Sequence, residues 1–193
     1  MNMHNITFDD MSNGPGLRVV LWVSGCSHQC KQCHNPQTWD CSSGIPFTSW
    51  EEAEFFEKVS KKHIAGVTFS GGDPLHENNR DEVGRLVSLL KELYPLKDII
   101  LYTGYTMSWN DSIKDFQFSD DVANLKPFSI EWLSKVDIIV DGRFDYEQRQ
   151  VDLIRQNDIT FRGSSNQRYI DVSESLKKKN MVLYPMSSND YSK

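Results

Sequence analysis

Gly25-Cys26-Ser27-His28-Gln29-Cys30-Lys31-Gln32-Cys33-His34-Asn35-Pro36 holds three of the four cysteines of this 193-residue chain, spaced C-x3-C-x2-C. A structural zinc site usually closes with four ligands, so three thiols are one short. They match a cubane iron–sulfur cluster in which three irons each carry a cysteine and the fourth keeps an open position. A small molecule can bind there and receive an electron from the cluster. Positions i, i+4 and i+7 also share one face of a helix, and buried cysteines are ordinary core residues. Here a glycine at one end, a proline at the other and polar residues between leave no apolar stripe and no helix start. The stretch reads as a ligand loop.

Working outward, Val19-Val20-Leu21-Trp22-Val23 is dense in β-formers and is entered through the turn-rich Asn13-Gly14-Pro15-Gly16-Leu17-Arg18. Cys41 lies in an irregular stretch, Gln37 to Phe47. A helix with Thr48 or Ser49 as cap is expected to run to about Lys62. Gly66-Val67-Thr68-Phe69 is a short buried strand that runs into Ser70-Gly71-Gly72-Asp73-Pro74-Leu75. A glycine pair after a strand marks a close approach of backbone to something. Glu77 to Tyr94 has helical spacing at Val83, Leu86, Val87, Leu90 and Leu93.

Asp98 to Thr103 is the third strand, closing on Gly104, and Val136 to Gly142 contains the fourth. Tyr105 to Ser129 shows no clean period and reads as an insertion or surface excursion. Ile130 to Ser134 is a short helix, Asp145 to Asp158 a polar mobile stretch, Val172 to Lys179 a helix, and Met181 to Tyr184 a last strand. The alternation predicts one α/β domain over residues 1–185 and a disordered tail over 186–193. Its sheet is mostly parallel with about five strands, helices outside, and ligand loops at the carboxyl ends of the strands.

Composition excludes several functions. A net charge of −6 offers no basic footprint for nucleic acid, and Lys177-Lys178-Lys179 fits a helix C-terminus better than a phosphate site. No apolar run approaches the roughly 20 residues that span a bilayer, and the first ten residues lack an export pattern. A cytoplasmic chain is expected, with cysteines kept for metal or catalysis rather than disulfides.

C-x3-C-x2-C after a β-strand resembles the cluster motif of the radical S-adenosylmethionine enzymes. Ser70 to Leu75 is similar to their Gly-Gly-acid-Pro segment, and Thr103-Gly104-Tyr105 fits the same pattern. Asn13 to Arg18 resembles a segment shared by activators of glycyl-radical enzymes. D-G-R-F at Asp141 to Phe144 and R-G-S-S-N-Q at Arg162 to Gln167 resemble segments of one family, the activating proteins of anaerobic ribonucleoside-triphosphate reductases. The likeness runs from about Asn13 to Ile170.

The resemblance implies an incomplete, open parallel (β/α) barrel of the radical S-adenosylmethionine type. It implies a [4Fe-4S] cluster held by Cys26, Cys30 and Cys33. S-adenosylmethionine would chelate the open iron, bordered by Gln32, Cys33, His34, Gly71, Gly72, Asp73 and Thr103, with Gly104 nearby. An external donor such as a flavodoxin would reduce the cluster. Reductive cleavage of the cofactor would then generate a glycyl radical on the large subunit of the reductase, with no general acid or base needed. The superfamily often has an aromatic residue where this chain has Gln32. His28 and His34 are expected at the polar surface, and a side chain at Gly72 is expected to obstruct the cofactor without touching cluster ligation. Two other readings stand beside this one: an activase of another glycyl-radical enzyme such as pyruvate formate-lyase, and a non-catalytic zinc or iron–sulfur module that also uses Cys41.

Overall fold

The structure is a computed structural model and describes residues 1–119, 131–149 and 161–186. Its centre is four parallel strands, β2 (Leu17–Val23), β4 (Ile64–Gly71), β5 (Asp98–Tyr102) and β8 (Ile138–Asp141). Antiparallel strands extend both edges: β1 (Asn2–Asp10) and β3 (Ile45–Pro46) on one side, β9 (Arg168–Asp171) on the other. The order β3-β1-β2-β4-β5-β8-β9 makes a seven-stranded sheet, wider than the five strands expected. The parallel character is confined to its middle.

Alternation along the strands gives each face its job. The register aligns Leu21, Phe69, Leu101, Ile139 and Ile170 in one row across the sheet. All five are buried in the main core, with Phe55 of α1 (Ser49–Val59) and Leu86 and Val87 of α2 (Arg80–Leu93). The next row, Val20, Thr68, Ile100 and Ile138, faces the other way. There Ile100 and Ile138 join Val140, Phe161 and Tyr169 in a smaller cluster. One face is covered by helices, and the other by this smaller cluster.

The helices follow the sequence closely. Thr48 caps α1 in a capping box: its hydroxyl accepts from the Trp50 N–H, and the Glu51 carboxylate accepts from the Thr48 N–H. In α2, Val83, Leu86, Val87 and Leu90 are buried and Leu93 is half out. The expected short helix at Ile130–Ser134 is a 3-10 turn at Glu131–Lys135. The C-terminal helix α3 (Val172–Lys178) carries Lys177 and Lys178 in its last turn.

Three expectations need correction. β1 was not anticipated, because its polar residues mask the buried Met3 and Ile6. Tyr105 to Ser119 is no surface excursion: β6 (Thr106–Asn110) and β7 (Asp115–Ser119) form a hairpin with Met107, Phe116 and Phe118 buried. Residues 120–129 of that stretch lie outside the described residues, as do 150–158 of the polar stretch and 187–193 of the tail. Met181–Tyr184 forms no strand: it makes a single bridge, Leu183 to Ile170. Met186, at the head of the expected tail, packs on the smaller cluster.

Arg18 closes the amino-terminal end of the sheet and explains the turn before it. Its guanidinium is fully buried and donates to Thr68 Oγ1 (2.7 Å), the Val67 carbonyl (2.8 Å) and the Pro15 carbonyl (3.0 Å), and it pairs with Asp98. The Pro15–Arg18 end of the Asn13–Arg18 segment is therefore a fold-closing clasp, while Asn13 borders a cleft at the carboxyl end. Asp98 is partly exposed, but its Oδ1 facing Arg18 is buried, so the cost of losing Arg18 is set by that oxygen and the other buried acceptors it would strand. Arg18→Met should lower the stability of the metal-free protein by about 2–3 kcal/mol, read from anaerobic urea denaturation. A loss under about 1 kcal/mol would show that the clasp is dispensable.

Candidate metal centre

The chain leaves β2 at Val23 and turns under the end of β4, where the parallel ladder continues past both strands. The Gly72 N–H donates to the Val23 carbonyl (2.7 Å), and the Asp73 N–H donates to the Gly25 carbonyl (2.8 Å). On the other side, the Gly25 and Cys26 N–H groups donate to the Thr38 and Trp39 carbonyls at 2.7 and 3.0 Å. The cysteine loop is thus held between two backbone segments. A Cβ on Gly72 would lie 2.5 Å from the Gly25 carbonyl oxygen. The close approach foreseen for the glycine pair is to the cysteine loop itself, which corrects the idea that a side chain there spares it.

Between the cysteines the backbone is not helical. Gln29 and Gln32 both have left-handed φ, 47° and 53°, and the Cys33 N–H closes a turn on the Cys30 carbonyl at 3.0 Å. That removes the helix-face alternative. Cys26, Cys30 and Cys33 all line one cleft of about 370 Å³ at the carboxyl edge of the sheet. The Asn35 N–H donates to Cys33 Sγ at 3.3 Å. Burial first, and then the nearby Asp73 charge, pushes the Cys26 thiol from 9.0 up to about 12; burial also raises Cys30. Three thiols held together, two of them (Cys26 and Cys30) raised by burial, suit a cationic iron centre, which supplies the charge that solvent cannot.

Of the other anticipated residues, His34, Gly71, Gly72, Asp73, Thr103 and Gly104 border the same cleft, and Gln32 does not. The Gln32 side chain is exposed, as its left-handed backbone turns it outward. His34 stacks obliquely on Phe144 of the D-G-R-F segment, ring centres 4.6 Å apart. Cys41 is not among the cleft residues. Its sulfur sits where a side chain on Gly25 would go and faces the His76 ring at 3.8 Å. A four-thiol site therefore lacks its fourth ligand in this arrangement.

His28 corrects its surface assignment. It is buried, its Nε2 lies 2.7 Å from Asp73 Oδ2, and its ring meets Tyr105 edge-on. A Cβ on Gly104 would enter that ring, so Gly104 makes room for His28. Cys26, His28 and Asp73 bring ligand atoms within 4.8 Å of one another. Asp73 is already saturated by protein donors, which makes this trio a poor metal site. Sequence reasoning also missed Asn79: its amide donates to the Ser24 (2.8 Å) and Asp73 (2.9 Å) carbonyls and ties the two loops together from the start of α2.

A family model described as "4Fe-4S single cluster domain" matches residues 12–170. The anaerobic ribonucleoside-triphosphate reductase-activating protein of Enterobacteria phage T4 is 39% identical over 87% of this chain and 92% of its own length. Those of Vibrio cholerae serotype O1 and Escherichia coli K12 are 38% and 34% identical, over 86% of this chain and 96% of theirs. The chain belongs to this family of activating proteins. No helix among its described residues is long and apolar enough to cross a membrane.

Two outcomes follow from this geometry. Gly72→Val should lower cluster content on anaerobic reconstitution, because the valine displaces Gly25 beside Cys26; an unchanged iron count and absorption spectrum would show that the two loops can part. In metal-free protein, Cys26 alkylation by iodoacetamide should be at least about tenfold slower than that of a small thiol at pH 8, since the raised pKa keeps it protonated. Its rate should still be climbing at pH 10; a plateau near pH 9 would contradict the shift.

Proposed function

We propose that this chain activates an anaerobic ribonucleoside-triphosphate reductase by reductive cleavage of S-adenosylmethionine and generation of a glycyl radical on the reductase's large subunit. The observation that carries this is convergence: Cys26, Cys30 and Cys33, the Gly71-Gly72-Asp73 turn and Thr103-Gly104 border one cleft. The names of the relatives support the same target. On this reading the three cysteines hold a [4Fe-4S] cluster, and the sheet is an incomplete barrel of the radical S-adenosylmethionine type, open beside the cleft.

Cys26, Cys30 and Cys33 would hold the cluster, which when bound would supply the one-electron reducing chemistry that cleavage of the cofactor's sulfonium and radical transfer to the partner's glycine require. The chain's own work is binding, orientation and exclusion of water. The N–H groups of Gly72 and Asp73 are spent on the Val23 and Gly25 carbonyls, so backbone carbonyls would receive the cofactor's ammonium group. Cys33, His34 and Thr103 would border the cofactor through the cleft, and Gln32 through its backbone alone. A one-electron donor such as a flavodoxin would serve the cluster in an anaerobic cytoplasm.

The test is anaerobic mixing of reconstituted protein, reductant, S-adenosylmethionine and purified reductase, followed by electron paramagnetic resonance. A doublet glycyl signal should need all four components, and deuterium on the reductase glycine should appear in 5′-deoxyadenosine. Cys26→Ala, Cys30→Ala and Cys33→Ala should abolish cofactor cleavage, whereas Cys41→Ser keeps it. Normal cleavage with a silent reductase, and a signal on pyruvate formate-lyase instead, would reassign the target.

A further inference from the structure

Asp73 is 1% exposed, yet among the described residues no lysine or arginine pairs with it. Its carboxylate is held by the Leu75 N–H on Oδ1 (2.8 Å), the Gly104 N–H on Oδ2 (2.9 Å), the Thr103 hydroxyl at 3.0 Å from each oxygen, and His28 Nε2 on Oδ2 (2.7 Å). Both oxygens accept hydrogen bonds, which is the pattern of an ionised carboxylate. Neutral donors stabilise that charge locally without cancelling its field at longer range. The field falls on the cysteine loop, because an Asp73 oxygen lies within 4.8 Å of Cys26 Sγ.

The geometry points to Asp73 as the residue that sets the reduction potential of the cluster, holding it low with a buried charge that no lysine or arginine among the described residues pairs with. This rests on the reading of Cys26, Cys30 and Cys33 as cluster ligands. Reduction places one electron on the iron–sulfur group and takes up no proton. That electron arrives beside Cys26, whose Sγ lies within 4.8 Å of a fixed negative charge that is itself 1% exposed, so the oxidised cluster is favoured. A low potential is what a one-electron donor to a sulfonium requires. His28 and Thr103 act as positioning residues that keep the carboxylate turned inward. The acidic place of the Gly-Gly-acid-Pro turn thereby acquires a task separate from any contact with the cofactor.

The experiment compares wild type, Asp73→Asn and Thr103→Val. Each is reconstituted anaerobically with iron and sulfide and titrated with dithionite and mediators, without S-adenosylmethionine. The reduced cluster is followed by electron paramagnetic resonance. Asp73→Asn keeps the side chain's size and removes the charge, and should make reduction at least tenfold more favourable, a positive shift of about 59 mV for one electron. Thr103→Val keeps the charge and removes a donor, and should shift the midpoint the other way by a smaller amount. General loosening of the site would move both variants in the same direction. An unchanged midpoint in Asp73→Asn overturns the inference; if that variant holds no cluster, an unchanged or positive shift in Thr103→Val overturns it. Wild type that takes up zinc but no iron and sulfide overturns the cluster reading itself, which iron and sulfide analysis shows before any titration.

Discussion

Two backbone hydrogen bonds, from Gly72 to Val23 and from Asp73 to Gly25, continue the ladder between β2 and β4 beyond the end of the sheet. The metal-binding loop depends on them. A loop of polar residues with two left-handed glutamines has little packing of its own to fix it. It acquires a position because its first residues are treated as one more step of a parallel sheet. That step requires the strands to approach as closely as they do inside the sheet, which only a residue without a side chain permits at position 72. The glycine pair therefore serves the cysteines before it serves any ligand.

Asp73, next in sequence, extends the same arrangement sideways. Through Thr103 and Gly104 it reaches the end of β5, through His28 it reaches back between the first two cysteines, and its carbonyl receives Asn79 at the start of α2. Three loops from three parallel strands are thus joined by one buried carboxylate. Satisfied buried polar networks are rigid, because each lost contact would strand a group away from water. Rigidity at this point keeps three thiols at fixed separations while the cleft beside them stays open.

What could be read in advance was whatever is local. The cysteine spacing, the capping box at Thr48 and Glu51, the apolar period of α2 and the strand before each ligand loop are written in neighbouring residues. What could not be read depends on distant partners. His28 looks like a polar loop residue until Asp73, 45 positions away, is folded against it. Asn79 looks like a helix cap, but its amide is used across 55 positions on Ser24. The hairpin from Thr106 to Ser119 did carry a signal, with Met107 and Trp109 alternating on one strand and Phe116 and Phe118 on the other. It was hidden by reading the stretch at the scale of an excursion rather than at period two.

The two ends of the central strands divide the labour, and Arg18 shows why. At the amino-terminal end, a buried guanidinium consumes the carbonyls of Pro15 and Val67 and the hydroxyl of Thr68, and the end is sealed. At the carboxyl end, the buried charge is negative, is met by backbone and hydroxyl donors and histidine, and lies beside Cys26, whose thiol burial pushes up. A cation of the protein's own at Asp73 would have closed that end as Arg18 closes the other. It would also have cancelled the field at Cys26. Leaving the carboxylate without lysine or arginine keeps the carboxyl end electrostatically incomplete, and an incomplete end is the one that can take up a positively charged metal group.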